Sequence, residues 1–280
     1  MGLESSKQLL RFEGIGTCAT IFQHYEQPLT QIFCLNPMVI LVLQGIKIIE
    51  LDHQKFTVHA GEILVIPAGT TLDIINLNPE DDSYLACYFT WETKPLKSYE
   101  KMREKHHSTY LDNIQILKNI PESFKESFLQ ISNQLTTIKN QDLVNHKFVE
   151  ILIWLEQMGV VFSSAENLTL SQKITQLISQ APNQKWQAKE IAQHFHLGES
   201  TMRRHLANEN TSVSQLIQNV RTSYGLTLLQ TTHWNIEDIA QEAGYESGSR
   251  FAYYFRQRFG FLPSEMKNNY KSNREMSRAC

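Results

Sequence analysis

Ile191-Ala192-Gln193-His194-Phe195-His196-Leu197-Gly198 and Ile239-Ala240-Gln241-Glu242-Ala243-Gly244-Tyr245-Glu246 are one motif written twice, with their starts 48 residues apart. In the first copy a helical stretch from Ala188 to Phe195 breaks at His196-Leu197-Gly198 and resumes from Glu199 to Asn208. In the second, Ile236 to Ala243 breaks at Gly244-Tyr245-Glu246 and resumes from Ser247 to Phe259. A short helix, a tight turn and a longer helix make a helix-turn-helix, whose second helix is shaped to lie in a DNA major groove. The units are expected at 188–208 and 236–259.

Between them, residues 212–230 carry Val213, Leu216, Ile217, Val220, Tyr224 and Leu228 at helical intervals. This predicts one connecting helix of about 25 Å at 1.5 Å per residue. With the flanking units added, the two second helices come to lie roughly 34 Å apart, one turn of B-DNA, so both enter successive major grooves on one face of the duplex. Ala192 and Ala240 are small where the two helices of each unit cross. Gly244 is suited to a left-handed residue at the helix end.

The run Ile239-Ala240-Gln241-Glu242-Ala243-Gly244-Tyr245, followed by Ser249-Arg250-Phe251, Phe255-Arg256, Phe259-Gly260 and Pro263-Ser264-Glu265, resembles the signature of the AraC/XylS transcription regulators. The resemblance covers about the last hundred residues. Within the family the chain is similar to virulence and stress regulators that carry an amino-terminal sensor domain. Trp186 resembles the tryptophan that caps the first unit in this family. The resemblance implies a transcription activator that binds promoter DNA, works with RNA polymerase and pairs as a homodimer through a helix of the sensor domain.

In the first recognition helix, Met202 and Leu206 share a face and should pack on Ile191 and Phe195, leaving Ser200, Arg203, Arg204 and Asn208 outward. Arginine gives a bidentate bond to guanine O6 and N7, and serine suits a phosphate or a base edge. In the second, Phe251 and Phe255 take the core, and Ser249, Arg250 and Tyr253 face out, with Arg256 suited to phosphates. Family matching puts base reading at Ser200, Arg203, Arg204, Ser249, Arg250 and Tyr253. Gly248 and Arg250 depart from the usual family residues, so the second unit is expected to grip backbone more than bases.

The amino-terminal half has a different texture. Residues 15–90 read as short strands broken by turn signals such as Gln44-Gly45 and Pro67-Ala68-Gly69, which predicts an antiparallel barrel or jelly roll. Gly61 through Asn76 resembles the second motif of the cupins, except that Leu72 stands where the metal histidine belongs. An aliphatic side chain has no lone pair for a metal. The expected fold is α+β in two domains. A metal-free cupin-like barrel at 1–93 and dimerisation helices at 94–165 precede an all-α DNA-binding domain at 168–280. The barrel interior is either filled by side chains or open to a small molecule. Some regulators of this group bind fatty acids through pocket lysines, which makes Lys47 and Lys55 candidates. Control by a protein partner is the alternative.

The stripe Leu143, Phe148, Ile151, Leu152, Leu155 and Met158, widened by Val144 and Trp154, is apolar around more than half a helix. It is either sandwiched in the core or paired with a second subunit. Charge divides the chain in the same place: residues 1–167 hold 13 Lys+Arg against 20 Asp+Glu, and 168–280 hold 13 against 9. A basic carboxyl half suits a polyanion. No hydrolase, zinc-protease or nucleotide-cradling motif occurs, so neither an enzyme nor a cofactor is expected. His106-His107 reads as an exposed polar stretch, and His194 and His196 diverge on a helix end. Cys18, Cys34, Cys87 and Cys280 lack metal-ligand spacing and read as reduced thiols. With neither a secretory start nor an apolar run of spanning length, the expected location is the bacterial cytoplasm.

Overall fold

A computed structural model describes residues 8–23, 26–51, 54–77, 83–103, 110–162 and 169–266. The chain divides into two units, residues 1–166 and 167–280. His106, His107, Cys280 and the segment 163–168 lie outside the described residues.

In the first unit the strands run β1 (Gln8–Phe12), β2 (Gly16–Gln23), β3 (Gln27–Cys34), β4 (Met38–Gln44) and β5 (Ile46–Leu51). They continue with β6 (Gln54–His59), β7 (Ile63–Ile66), β8 (Thr70–Leu77), β9 (Tyr84–Trp91) and β10 (Gln115–Leu117). Six form an antiparallel sheet in the order β1-β2-β9-β4-β7-β10, and four form another in the order β3-β8-β5-β6.

The expected closed cupin-like barrel is therefore corrected to two open sheets. Among the described residues no ladder joins them, and β1, β10, β3 and β6 remain as edges. The reason lies in strands with two dry faces. Barrel strands alternate between an interior and an exterior face, yet Ile63, Leu64, Val65 and Ile66 are all fully buried, as are Val39, Leu41 and Val42. Such strands need cover on both sides.

One side is covered by the second sheet. Asn76 of β8 donates through Nδ2 to Oε1 of Gln23 on β2 at 2.9 Å, and Lys47 Nζ of β5 lies 5.0 Å from the ring centroid of Tyr84 on β9. The other side is covered by α1 (Thr93–Met102), α2 (Glu122–Gln134) and α3 (Gln141–Gln157). Phe89 meets Phe128 and Phe148 edge-on at 4.8 and 5.3 Å, and Trp91 Nε1 donates to the Phe148 carbonyl at 3.0 Å. Cys18 Sγ donates to Ser132 Oγ at 3.2 Å from beneath α2, and Cys18, Cys34 and Cys87 are all buried and free.

Of the two alternatives for the α3 stripe, this packing takes up most of it inside the unit. Phe148, Ile151, Leu152 and Leu155 lie inside the unit's own core, and Met158 is partly buried against it. Only Leu143 is exposed, at 55%. The stripe is broad because α3 must fill space against α1, α2 and the sheet at once.

The second unit is helical: α4 (Leu170–Gln180), α5 (Ala188–His194), α6 (Glu199–Asn208), α7 (Val213–Thr231), α8 (Ile236–Glu242) and α9 (Gly248–Phe259). Ile174, Ile178, Ile191, Met202, Leu206, Leu216 and Val220 form one core around the first half of α7. Its second half packs on α8 and α9. There Gly225 is required by close approach, since a Cβ would stand 2.4 Å from the Phe251 ring.

Both turns end their first helix the same way. Leu197 N–H donates to the Ala192 carbonyl at 2.9 Å, and Tyr245 N–H to the Ala240 carbonyl at 2.8 Å. The left-handed residue is Gly244 (φ 86°) in the second turn and His196 (φ 53°) in the first.

Four substitutions test this packing. Leu155→Asp places a carboxylate in a dry core and should unfold the first unit, seen as loss of near-ultraviolet dichroism, whereas Leu143→Asp should leave the melting temperature within a degree or two. His196→Gly relieves a left-handed side chain and should stabilise the second unit by up to about 1 kcal/mol in urea melts. Gly244→Ala should instead destabilise it, because its Cβ would meet the Pro182 carbonyl at 2.5 Å.

Candidate nucleic-acid interface

The second helices of the two helix-turn-helix units are α6 and α9, and their buried residues fix which side faces out. Met202 and Leu206 point into the first core, as Phe251 and Phe255 do into the second. Counting from Met202 to Phe251 gives an offset of 49, whereas Ile191 to Ile239 gives 48. The second turn is one residue longer. Equivalent outward positions are then Ser200 with Ser249, Arg204 with Tyr253 and Asn208 with Gln257. Each set is spaced by four, so each forms one continuous stripe along its helix.

The expected residues Ser200, Arg203, Arg204, Asn208, Ser249, Arg250, Tyr253 and Arg256 are all exposed. Arg256 stands off the stripe, at the position matching Ala207. Gln257 occupies its end instead, and its Nε2 donates to Tyr253 Oη at 2.7 Å. Sequence reading passed over Gln257. The signal that finds it is the change of offset from 48 to 49 between the two apolar pairs. Arg258 serves the fold: its Nη1 donates to the Asn219 carbonyl at 2.6 Å and ties α9 to α7. Burial lowers its guanidinium to about 10.

Two of the outward arginines are held in advance by acids one turn upstream. Arg203 Nη2 lies 2.6 Å from Glu199 Oε1, and Arg250 pairs with Glu246. Both pairs are exposed, so each is worth at most about 1 kcal/mol. Their effect is to fan the guanidinium along the helix and to place a negative charge where DNA would approach. Arg204 has no such tether among the described residues.

The helix ends are built firmly. Ser247 Oγ accepts from Arg250 N–H at 3.3 Å, and Glu237 accepts from Gly248 N–H at 2.9 Å, anchoring α9 to α8. Trp186 Nε1 donates to the Ala181 carbonyl at 2.9 Å, and its ring packs against the first core.

In the first unit, Lys55 lies on the surface 3.6 Å from Glu50. Lys47 is 1% exposed between the sheets, and its Nζ donates to Asn76 Oδ1 at 2.6 Å. Burial lowers this ammonium to about 7, and neighbouring Cys34 acts in the opposite sense. Burial pushes the Cys34 thiol up to about 12 and the Tyr84 phenol upward as well. The Tyr84 hydroxyl is buried, with no hydrogen-bond partner among the described residues. Leu72 is buried on β8, and among the described residues no group of three or more His, Cys, Asp or Glu side chains is placed to hold a metal. No helix among them is long and apolar enough to cross a membrane.

Arg204→Ala should cost about 1–3 kcal/mol on a selected DNA site and relax preference at one base pair, with little loss on random duplex. Glu199→Ala, by releasing Arg203 and deleting a negative charge, should tighten binding to random DNA and narrow the gap between the two. Electrophoretic titrations at fixed salt read both.

Comparisons with known proteins find the same kind of domain. Residues 191–269 match the family model described as a helix-turn-helix domain. The urease operon transcriptional activator of Escherichia coli is 24% identical over 268 residues, covering 88% of each chain. The regulator YdeO of Escherichia coli K12 is 26% identical over 161 residues, which span 51% of this chain and 62% of that protein. Among solved structures, unsaturated fatty acid bound wild-type ToxT from Vibrio cholerae shares the fold with a TM-score of 0.60 at 15% identity, over 91% of this chain and 96% of that one. Residues 191–269 thus match a helix-turn-helix domain, and the chain is a DNA-binding transcription regulator similar to these proteins.

Proposed function

We propose that this regulator activates transcription at promoters read by α6 and α9, in contact with RNA polymerase, and that an apolar molecule with an anionic head, of the fatty-acid class, controls it by pairing with Lys47. The observation that carries the reading is a lysine ammonium between two apolar sheets whose hydrogen-bond acceptor is a neutral amide. Among the described residues no carboxylate pairs with it. An unpaired buried cation is costly, and its retention is explained by a ligand that supplies the missing charge.

The buried Tyr84 hydroxyl, which has no hydrogen-bond partner among the described residues and whose ring lies beside Lys47, is a second donor for the same head group. The surrounding apolar side chains suit an aliphatic tail. The fold shared with a ToxT structure that holds an unsaturated fatty acid supports the choice of class. A ligand that prefers one state of the sensor shifts the population of DNA-binding protein by its difference in affinity for the two states.

The pH dependence follows from the lowered ammonium. The folded value, about 7, lies below the ordinary lysine value of 10.5, so the charged form is penalised by folding. Below pH 7 the penalty is complete, and it shrinks as pH rises toward 10.5. Cys34 ionises more readily unfolded than folded, which lowers stability above about pH 9. Stability of the first unit should therefore rise between about pH 7 and 9. Lys47→Met should raise the melting temperature most at pH 6 and progressively less at higher pH.

Ligand binding has the opposite slope. An anionic head needs the protonated amine, so oleate affinity should fall by up to about tenfold per pH unit above 7 and lose that dependence in Lys47→Met. Isothermal titration at pH 6, 7 and 8, with DNA affinity measured with and without oleate, tests the reading. If oleate and shorter fatty acids neither bind nor change DNA affinity, small-molecule control through Lys47 is wrong.

A further inference from the structure

A duplex that offers successive major grooves to α6 and α9 must pass the intervening minor groove, with its two phosphodiester edges, across the middle of the second unit. Recognition helices do not reach that stretch. Between the two helix-turn-helix units lies a crevice of about 730 Å³, floored by Ser214, Gln218 and Arg221 of α7. Its walls are Lys185 and Gln187, just ahead of α5, and Arg250 of α9. Arg250 is an exposed residue of α9, next in sequence to Ser249 of its outward stripe, so the crevice borders the helix that carries that stripe.

The chemistry of the lining is that of a backbone site. Three cations meet a single carboxylate, Glu246, and that one is already paired with Arg250. The remaining polar groups include Ser214, Gln218 and Gln187, which donate to phosphate or deoxyribose oxygens without regard to base identity. Arg221 is fixed in place: its Nε donates to the Pro182 carbonyl and its Nη2 to the Gln184 carbonyl, both at 2.9 Å. A guanidinium anchored by backbone carbonyls is ordered before DNA arrives, so little of its freedom is lost on binding.

We infer that this crevice seats the sugar-phosphate backbone bordering the central minor groove, which makes the linker helix α7 a third DNA-contacting element beside the two recognition helices. The inference rests on the DNA-binding reading and adds a sequence-independent grip. The grip acts equally on all duplexes and holds the two half-sites at the spacing that α7 sets.

The test uses the full chain with a duplex of about 40 base pairs carrying a site selected in vitro, and a random duplex of the same length. Lys185 is exposed, so Lys185→Ala spares the core; Gln218→Glu adds a negative charge to the floor. Both variants should weaken binding to both duplexes by a similar factor, about threefold to tenfold. Lys185→Ala should also reduce the slope of log affinity against log salt by about 0.9. Hydroxyl-radical footprints of the wild type should show protection at the centre of the site, lost in Gln218→Glu. Arg204→Ala serves as the contrast, because it should lose the selected site and spare the random one.

Unchanged affinity and salt slope in both variants, with no central protection in the wild type, would overturn the inference while leaving the base-reading helices intact. A wild-type protein that bound neither duplex at low salt would overturn the DNA-binding reading itself, and this inference with it.

Discussion

The second unit depends on the straight run of α7. A 19-residue helix is about 28 Å long at 1.5 Å per residue, and it cannot be shortened without losing whole turns. The first half carries Val213, Leu216 and Val220 into one core. The second half brings Gly225 against Phe251, where even a methyl group would collide. Each helix-turn-helix is too small to bury its own apolar face, so both borrow α7 as a common wall. The spacing of the recognition helices is thus set by a rod that the cores themselves hold rigid. Arg221, pinned to the Pro182 and Gln184 carbonyls from the same rod, fixes the approach to α5 as well.

The two copies solve one local problem by different means. A first helix must stop abruptly and reverse, which calls for a left-handed residue. Gly244 supplies it without strain, and His196 supplies it at the cost of a crowded Cβ. The longer second turn moves α9 by one position relative to α6. Similar residue types therefore do not occupy similar places, and Gln257 takes the end of the stripe that naive matching gives to Arg256.

The first unit has a constraint of another kind. The central strands of its six-stranded sheet are dry on both faces, so the sheet must be sandwiched between the second sheet and the helices. That demand consumes the apolar side of α3, including Phe148, Ile151 and Leu155, and leaves little of it for a partner. Against this economy Lys47 stands out. It lies in the interior with an amide and an aromatic ring for company, in a place where an aliphatic residue would be more stable.

The sequence by itself determined the carboxyl half almost completely. Helical cores there are local: the spacing of Ile191, Met202 and Leu206, or of Ile239, Phe251 and Phe255, states which face is buried, and the outward residues follow by subtraction. The alternation of residues 15–90 likewise marked the strands. What it left open was pairing, because a strand's partner lies far along the chain, and period-two alternation says in or out without saying against what. Only the tertiary structure decided that the strands form two open sheets and that α3 faces inward. Tertiary packing alone also separates Lys47 from Lys55, since burial is a property of what other segments bring to a residue. The crevice beside Arg221 belongs to the same class: its walls come from α5, α7 and α9, and no single stretch of sequence contains it.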